Sequence, residues 1–118
     1  MRATTAALML FIAALLGACA EPIPPEKLAY AGEWRADNVR LIITPEGKVS
    51  YQRRDGSAKV SVDAPIQRFE GDNFVVGVGP IHTTFVVSKP PHLVDGQYRM
   101  TVDGVELTRV RAFEGTQI

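Results

Sequence analysis

The sequence predicts an all-β fold, a small antiparallel up-and-down β-barrel of eight or nine short strands. From Tyr30 onward apolar and polar residues alternate, which is typical of strands with one buried face. Turn-forming residues interrupt the alternation at short intervals, and no 3.6-residue apolar periodicity lasts for three turns. The strands are expected at 30–36, 38–44, 48–54, 57–63, 65–70, 73–79, 81–88, 97–102 and 105–111.

The expected turns have recognisable chemistry. Asp55-Gly56 and Asp103-Gly104 are typical of two-residue hairpin turns, because both turn positions adopt positive φ. Pro45-Glu46-Gly47 and Gly71-Asp72-Asn73 are further turn sequences. Only 89–96 is expected to be a longer loop, which either caps the open end of the barrel or carries a binding function.

A meander of this length is expected to close, because closure removes unpaired strand edges. About eight strands enclose an interior that side chains fill or that holds one small ligand. The many large apolar residues favour a filled interior. The residues expected to point inward are Tyr30, Trp34, Val39, Leu41, Ile43, Val49, Tyr51, Val60, Val62, Ile66, Phe74, Val76, Val78, Ile81, Phe85, Val87, Met100, Val102, Val105 and Leu107.

Composition limits what the chain can be. Its 118 residues allow one small domain. The 13 basic and 13 acidic side chains leave no basic excess, which argues against a nucleic-acid binder. The single cysteine leaves no partner for an intramolecular disulfide, so the domain must be held together by its core.

The N-terminus has the features of an export signal. Arg2 precedes the apolar run Ala6–Leu16, which is shorter than the about 20 residues that a transmembrane helix needs. The sequence Leu16-Gly17-Ala18-Cys19 resembles the lipobox of bacterial lipoproteins. The resemblance implies that signal peptide 1–18 is removed and that the Cys19 sulfur carries a diacylglycerol. An ordinary secretory signal and a short membrane anchor are the alternatives.

The residues after Cys19 suggest where the domain lies. Ala20, at the second position of the mature chain, implies by the same resemblance an outer-membrane anchor, with the domain in the periplasm. Three prolines between residues 22 and 25 favour an extended conformation, so residues 19–28 are expected to form a stiff tether. The barrel domain is expected to span residues 29–113.

Gly32-Glu33-Trp34 stands at the start of the first strand. Gly-x-Trp at this position resembles the signature of lipocalins and the wider calycin group. The resemblance implies that Trp34 closes the bottom of the barrel and that an arginine of the last strand stacks across it. Alternation places Arg109 on the core face, and an indole is a good cation–π partner, so we predict that Arg109 packs near Trp34. The alternative is a core tryptophan with Arg109 at the rim.

The sequence offers little catalytic chemistry. His82 and His92 lie ten residues apart, which is not a metal-ligand spacing, and they are expected at the surface. No cysteine follows Cys19, and neither Gly-x-Ser-x-Gly nor a phosphate-binding glycine loop is present. No catalytic residue, metal site or cofactor is expected.

These observations lead to the hypothesis of a non-enzymatic, lipid-anchored binding module of the bacterial envelope. Its partner would be a small apolar ligand or another envelope protein. One alternative is an inhibitor of an envelope-attacking enzyme such as lysozyme, because small barrel lipoproteins of that kind are similar in size and anchoring. Another is a small hydrolase or metal-dependent enzyme with a site around His82 or His92.

Overall fold

The computed structural model describes residues 20–113, so the predicted signal peptide and Cys19 lie outside the described residues. In this range nine strands form one antiparallel sheet that curls into a half-barrel, which confirms the all-β, up-and-down fold. The 3₁₀ helix Pro25–Tyr30 precedes the sheet. The strands are β1 Gly32–Ala36, β2 Val39–Ile43, β3 Lys48–Asp55, β4 Ala58–Glu70, β5 Asn73–Val78, β6 Ile81–Phe85, β7 Val87–Val94, β8 Gln97–Val102 and β9 Val105–Arg111.

The order of the strands is β6-β5-β4-β3-β2-β1-β9-β8-β7, so the first and last strands are neighbours. Asp103-Gly104 joins β8 to β9 as predicted, with φ of 48° and 80°. The β3–β4 hairpin turns at Gly56-Ser57, one residue later than expected. A further hairpin turn, Asp95-Gly96, lies inside the segment that was expected to be a loop and has φ of 51° and 81°.

The expected closure by a hydrogen-bonded ladder is not completed, because β6 and β7 are the two ends of the sheet. Only Val86 separates them in the chain, so they are two halves of one bent strand, β6 paired with β5 and β7 with β8. Val86 and Asp103 hold the bend, since the Val86 N–H donates to Asp103 Oδ1 (2.9 Å) and the Asp103 N–H donates to the Val86 carbonyl (2.8 Å). The Val87 N–H donates to Asn73 Oδ1 (2.8 Å). The bend therefore links both ends of the sheet.

The long loop expected at 89–96 is mostly strand, because β7 runs to Val94. Pro90 and Pro91 cannot donate backbone hydrogen bonds, but β7 pairs with β8 alone, and prolines are tolerated on edge strands and at bulges. The β7–β8 register shifts twice along this segment, which accommodates both prolines. The segment is thus part of the sheet rather than a cap over its end.

The strands expected at 57–63 and 65–70 are one continuous strand, β4. Pro65 does not interrupt it, because β4 changes its partner there. Pro65 is the last residue paired with β3, opposite Lys48, and Ile66 is the first paired with β5, opposite Val76. A missing N–H at this position costs the sheet little.

The segment before the sheet differs from the expected tether from Ile23 onward. Ile23 is buried in the core, and its N–H donates to the Pro45 carbonyl (3.0 Å). Tyr30, at the end of the 3₁₀ helix, packs edge-on against Phe69, and its hydroxyl donates to the Asp72 carbonyl (2.8 Å). Burial, and secondarily the charge of Asp72, raises the Tyr30 pKa to about 12. The folded domain therefore begins near Ile23.

Most of the residues expected to face inward form one core. Trp34, Leu41, Ile43, Phe74 and Met100 are among its fully buried side chains. Five of the expected inward residues are not buried. Val62 and Val105 are partly buried against the core, whereas Val60, Val78 and Ile81 are exposed. The interior of the half-barrel is thus filled, and the exceptions to burial are concentrated on β4, β5 and β6.

Replacement of Trp34 by alanine tests the core assignment. Because the indole is fully buried, Trp34→Ala is expected to lower the free energy of unfolding by about 3–5 kcal/mol in urea or guanidinium titrations. Val110→Ala, at an exposed position of β9, is the control and should change it by less than about 0.5 kcal/mol. Equal effects of both substitutions would contradict the assignment.

Candidate functional site

The sequence-predicted closure residues lie together where β1 meets β9. Trp34 and Arg109 are directly opposite each other in the β1–β9 register, and Trp34 Nε1 donates to the Tyr30 carbonyl (2.9 Å). The guanidinium of Arg109 lies over the ring of Tyr98, 4.4 Å from its centroid, rather than over the indole. Among the described residues Arg109 Nη1 is buried without a hydrogen-bond partner, so the tyrosine face is its main electrostatic contact.

Gly32 permits this arrangement. Its φ is 145°, and a Cβ atom there would lie 2.7 Å from Arg109 Cδ and 2.9 Å from the Arg111 carbonyl oxygen. The aliphatic part of Arg109 therefore crosses the strand where the side chain is missing. The glycine of the Gly-x-Trp sequence therefore has a steric role where β1 meets β9.

The two histidines do not form a site together. His82 is exposed on β6, opposite Gly77, and His92 lies on β7, opposite Arg99. The two histidines thus lie on either side of the bend at Val86, on strands that have different partners. Residues 20–113 contain no group of three or more His, Cys, Asp or Glu side chains placed to hold a metal ion.

An apolar groove lies between β4 and the β5–β6 hairpin, at the place where the β4–β5 ladder ends with Ile66 and Val76. Val60, Val78 and Ile81 point inward by register but are 48%, 69% and 81% exposed. The groove has a volume of about 470 Å³. Its lining residues are Val62, Asp63, Ala64, Val76, Gly77, Val78, Ile81, His82 and Thr83.

The groove is open because β6 has no strand on its second side. The β8–β9 turn reaches only as far as Val86, where Asp103 forms its hydrogen bonds. Beyond that point, toward Ile81, β6 pairs with β5 alone. The inward apolar residues at this end therefore lack the opposite wall that covers the rest of the core.

A second feature is a buried carboxylate on the outer face. Glu33 is 6% exposed, and its Oε2 accepts from Arg35 Nε (2.9 Å) and Arg40 Nε (3.2 Å). Its Oε1 lies 3.3 Å from Arg111 Nε. The hydrogen bond from Arg35 and the charges of both nearby arginines outweigh burial and hold the pKa of Glu33 below its ordinary value of 4.5.

A β-bulge completes this cluster. Trp34 pairs with Arg109 but Glu33 pairs with Arg111, so Val110 is an extra residue in β9. The bulge turns Arg111 to the outer face, although Arg109, two residues earlier, faces inward. Strict alternation places both arginines on one face, which is why the sequence analysis did not find this cluster. The only signal was the charge-rich first strand, Gly32–Ala36.

Gly32→Ala tests the steric role of the glycine. A side chain at this φ is strained and meets both β9 contacts, so the free energy of unfolding should fall by about 1–3 kcal/mol or more. Gly104→Ala is the control, because its φ is also positive but the space around it is open. A loss no larger than that of Gly104→Ala would show that the contact with Arg109 does not matter.

Glu33→Gln tests the buried carboxylate through the pH dependence of stability. A lowered folded-state pKa stabilises the fold above the unfolded-state pKa, and the stabilisation is lost as the pH falls through the folded-state value. At pH 7 the variant should be less stable by about 1–2 kcal/mol in urea titrations. The difference from the natural protein should shrink as the pH falls below about 4.5.

Glu70→Gln is the matched control, because its ion pair with Arg68 is half exposed on both sides. Its effect should be small at every pH, as for most surface ion pairs. A Glu33→Gln difference that stays constant between pH 7 and pH 3 would contradict the assignment of a stabilising, ionised Glu33.

Comparison of the chain with protein-family models, with curated proteins and with solved structures finds no match. Within residues 20–113, no helix has both the length and the apolar character needed to cross a membrane. What the protein does must therefore be inferred from its N-terminal motif and its surfaces.

Proposed function

We propose that this protein is a lipid-anchored binding module of the bacterial cell envelope, with no catalytic activity of its own. The apolar groove of β4, β5 and β6 supports the binding role, and Leu16-Gly17-Ala18-Cys19 supports the anchor. Ala20 at the second mature position favours the outer membrane, with the domain facing the periplasm.

The exposure of the inward residues is the observation that carries the proposal. Exposed apolar side chains are common singly, but Val78 and Ile81 are direct cross-strand partners that line one groove, and Val60 is exposed farther along β4. Contiguous apolar patches of this kind mark sites of interaction. Covering them removes apolar surface from water, which is favourable by roughly 25 cal/mol per Å².

The shape of the groove favours a protein segment over an enclosed small ligand. Within residues 20–113, fully buried side chains such as Trp34, Phe74 and Met100 fill the interior of the half-barrel, which favours a binding surface outside it. The groove lies outside this core and is open to one side, whereas small-molecule sites enclose most of their ligand. We therefore propose an apolar segment of another envelope protein as the partner.

Mass spectrometry of the protein extracted from its native envelope tests the anchor. The mature chain is expected to begin at Cys19 and to carry the mass of a diacylglycerol, because one acyl chain alone anchors only marginally. A Cys19→Ala variant should lose that mass and remain in the uncleaved or soluble fraction. A mature chain that starts upstream of Cys19, or that carries no acyl mass, would refute the anchor while leaving the groove untouched.

Substitutions in the groove test the binding role. A Val78→Ser, Ile81→Ser variant should keep its unfolding free energy within about 0.5–1 kcal/mol, because both side chains are exposed. It should bind the apolar dye anilinonaphthalene sulfonate much more weakly than the natural protein. It should also lose crosslinks that a photoreactive residue at position 83, an exposed lining position of the groove, forms to an envelope protein.

Leu93→Ser is the matched control, because Leu93 is 61% exposed but lies on β7 outside the groove. This variant should retain both dye binding and crosslinks. If dye binding is the same in the groove variant and the natural protein, the groove is not the apolar binding surface. Crosslinks that appear only to lipid or to a small molecule would replace the proposed protein partner with an apolar ligand.

A further inference from the structure

One row of outward-facing side chains crosses six strands of the sheet. Neighbouring members are direct cross-strand partners, so they lie about 5 Å apart at the backbone. Every member can donate a hydrogen bond, and none is acidic. From β8 through β9, β1, β2 and β3 to β4 the row consists of Arg99, Thr108, Arg35, Arg40, Gln52 and Ser61.

At its centre the row sets two like charges against each other. Arg35 and Arg40 are directly opposite on β1 and β2, an arrangement that is destabilising unless it is neutralised. The carboxylate of Glu33 offsets the repulsion, because it accepts a hydrogen bond from the Nε of each arginine. With Arg111 included, three guanidiniums share one carboxylate, so the cluster keeps a formal charge of about +2.

Glu33 does not use all the donors of Arg35 and Arg40. Within residues 20–113, the side chains of Arg35 and Arg40 form their hydrogen bonds and ion pairs with Glu33, and each does so through its Nε atom. The Nη groups of both are left to other partners, and both side chains are about half exposed. A buried carboxylate thus orients two guanidiniums and leaves their terminal donors at the surface.

These donors border a shallow hollow of about 180 Å³. Arg54 and Lys59 are direct cross-strand partners and add two more cations to its wall, and Gln52 adds an amide. Asp37 is the one acidic residue among the lining residues. The volume is below the roughly 300 Å³ at which pockets for drug-sized molecules begin, and it suits a compact anionic group.

We propose that this hollow binds the phosphate group of a phosphomonoester, with Arg35 and Arg40 as its principal donors. A phosphomonoester is a dianion near neutral pH, which matches the formal charge of the arginine cluster. Its oxygens suit the forked geometry of guanidinium donors. The hollow and the groove share no lining residue, so this inference does not depend on the groove or on the lipid anchor.

Titration with inorganic phosphate, followed by the side-chain Nε–Hε signals in ¹H–¹⁵N NMR spectra, tests the site in the full-length mature chain. The signals of Arg35 and Arg40 should shift with a saturable dependence on phosphate and not with equal ionic strength of chloride. Arg40→Gln should weaken binding by about tenfold or more, the change expected for one charge-assisted hydrogen bond. Arg40→Lys should weaken it less, because the charge remains.

Two further variants keep the test decisive. Arg54→Gln combined with Lys59→Gln removes charge from the hollow without touching Glu33, and should also weaken phosphate binding while the Glu33 cluster stays folded. Arg68→Gln is the control, because it removes one charge on β4 outside the hollow, and it should leave binding unchanged. Equal weakening by Arg68→Gln, or shifts that chloride reproduces, would overturn the proposal.

Vesicles identify the source of the phosphate group. The vesicle test uses a chain that begins at Ala20, because the acylated Cys19 would itself insert into any vesicle and the folded domain begins only near Ile23. Binding of this chain to vesicles that contain phosphatidate, whose headgroup is a phosphomonoester, but not to pure phosphatidylcholine vesicles would assign a lipid headgroup, provided that Arg40→Gln abolishes it. Binding of free phosphate with no preference for phosphatidate vesicles would assign a soluble phosphomonoester. Binding of neither would refute the site.

Discussion

The bend at Val86 determines the shape of the sheet. Residues 81–94 form one strand whose two halves pair at opposite ends of the sheet, β6 with β5 and β7 with β8. Because one chain segment connects both ends, the sheet must curl, and backbone hydrogen bonds of the bend to Asp103 and Asn73 fix where the ends meet. Curling brings the inner side chains of distant strands together, and the packed interior around Trp34 and Phe74 depends on it.

The same bend explains the groove. The inner face would be covered completely only if the strands on both sides of the bend were equally long. The β8–β9 turn ends beside Val86, but β5 and β6 continue beyond it to Val78 and Ile81. Apolar residues that alternate correctly for an inner face are left without a facing wall. The stable part of the domain and its proposed binding surface are therefore two parts of one apolar face, and only one of them is covered.

The outer face shows how an irregularity in one strand can assemble a charge cluster. A single extra residue, Val110, sends Arg109 inward to Tyr98 and Arg111 outward to Glu33. Gly32 gives the inward arginine its space, and Glu33 gathers the outward one with Arg35 and Arg40. Alternate residues of β1 thus have different roles. Gly32 makes room for a side chain on the inner face, whereas Glu33 and Arg35 form ion pairs on the outer face, so the two surfaces of the domain differ chemically.

The sequence by itself determined the all-β class, most strand positions, the Asp103-Gly104 turn and the face on which most core residues of the strands lie, because these depend on a two-residue period and on local turn chemistry. It did not determine that one strand continues through Pro65 or that Pro90 lies within a strand, since the tolerance of proline depends on which neighbours pair at those positions. Nor could it show that Ile81 is uncovered, that Arg109 lies over Tyr98, or that three arginines meet at Glu33. Tertiary structure decided these, because the cover over a side chain and the partner of a charge come from strands far away in the chain, and one bulged residue reverses the face that alternation predicts.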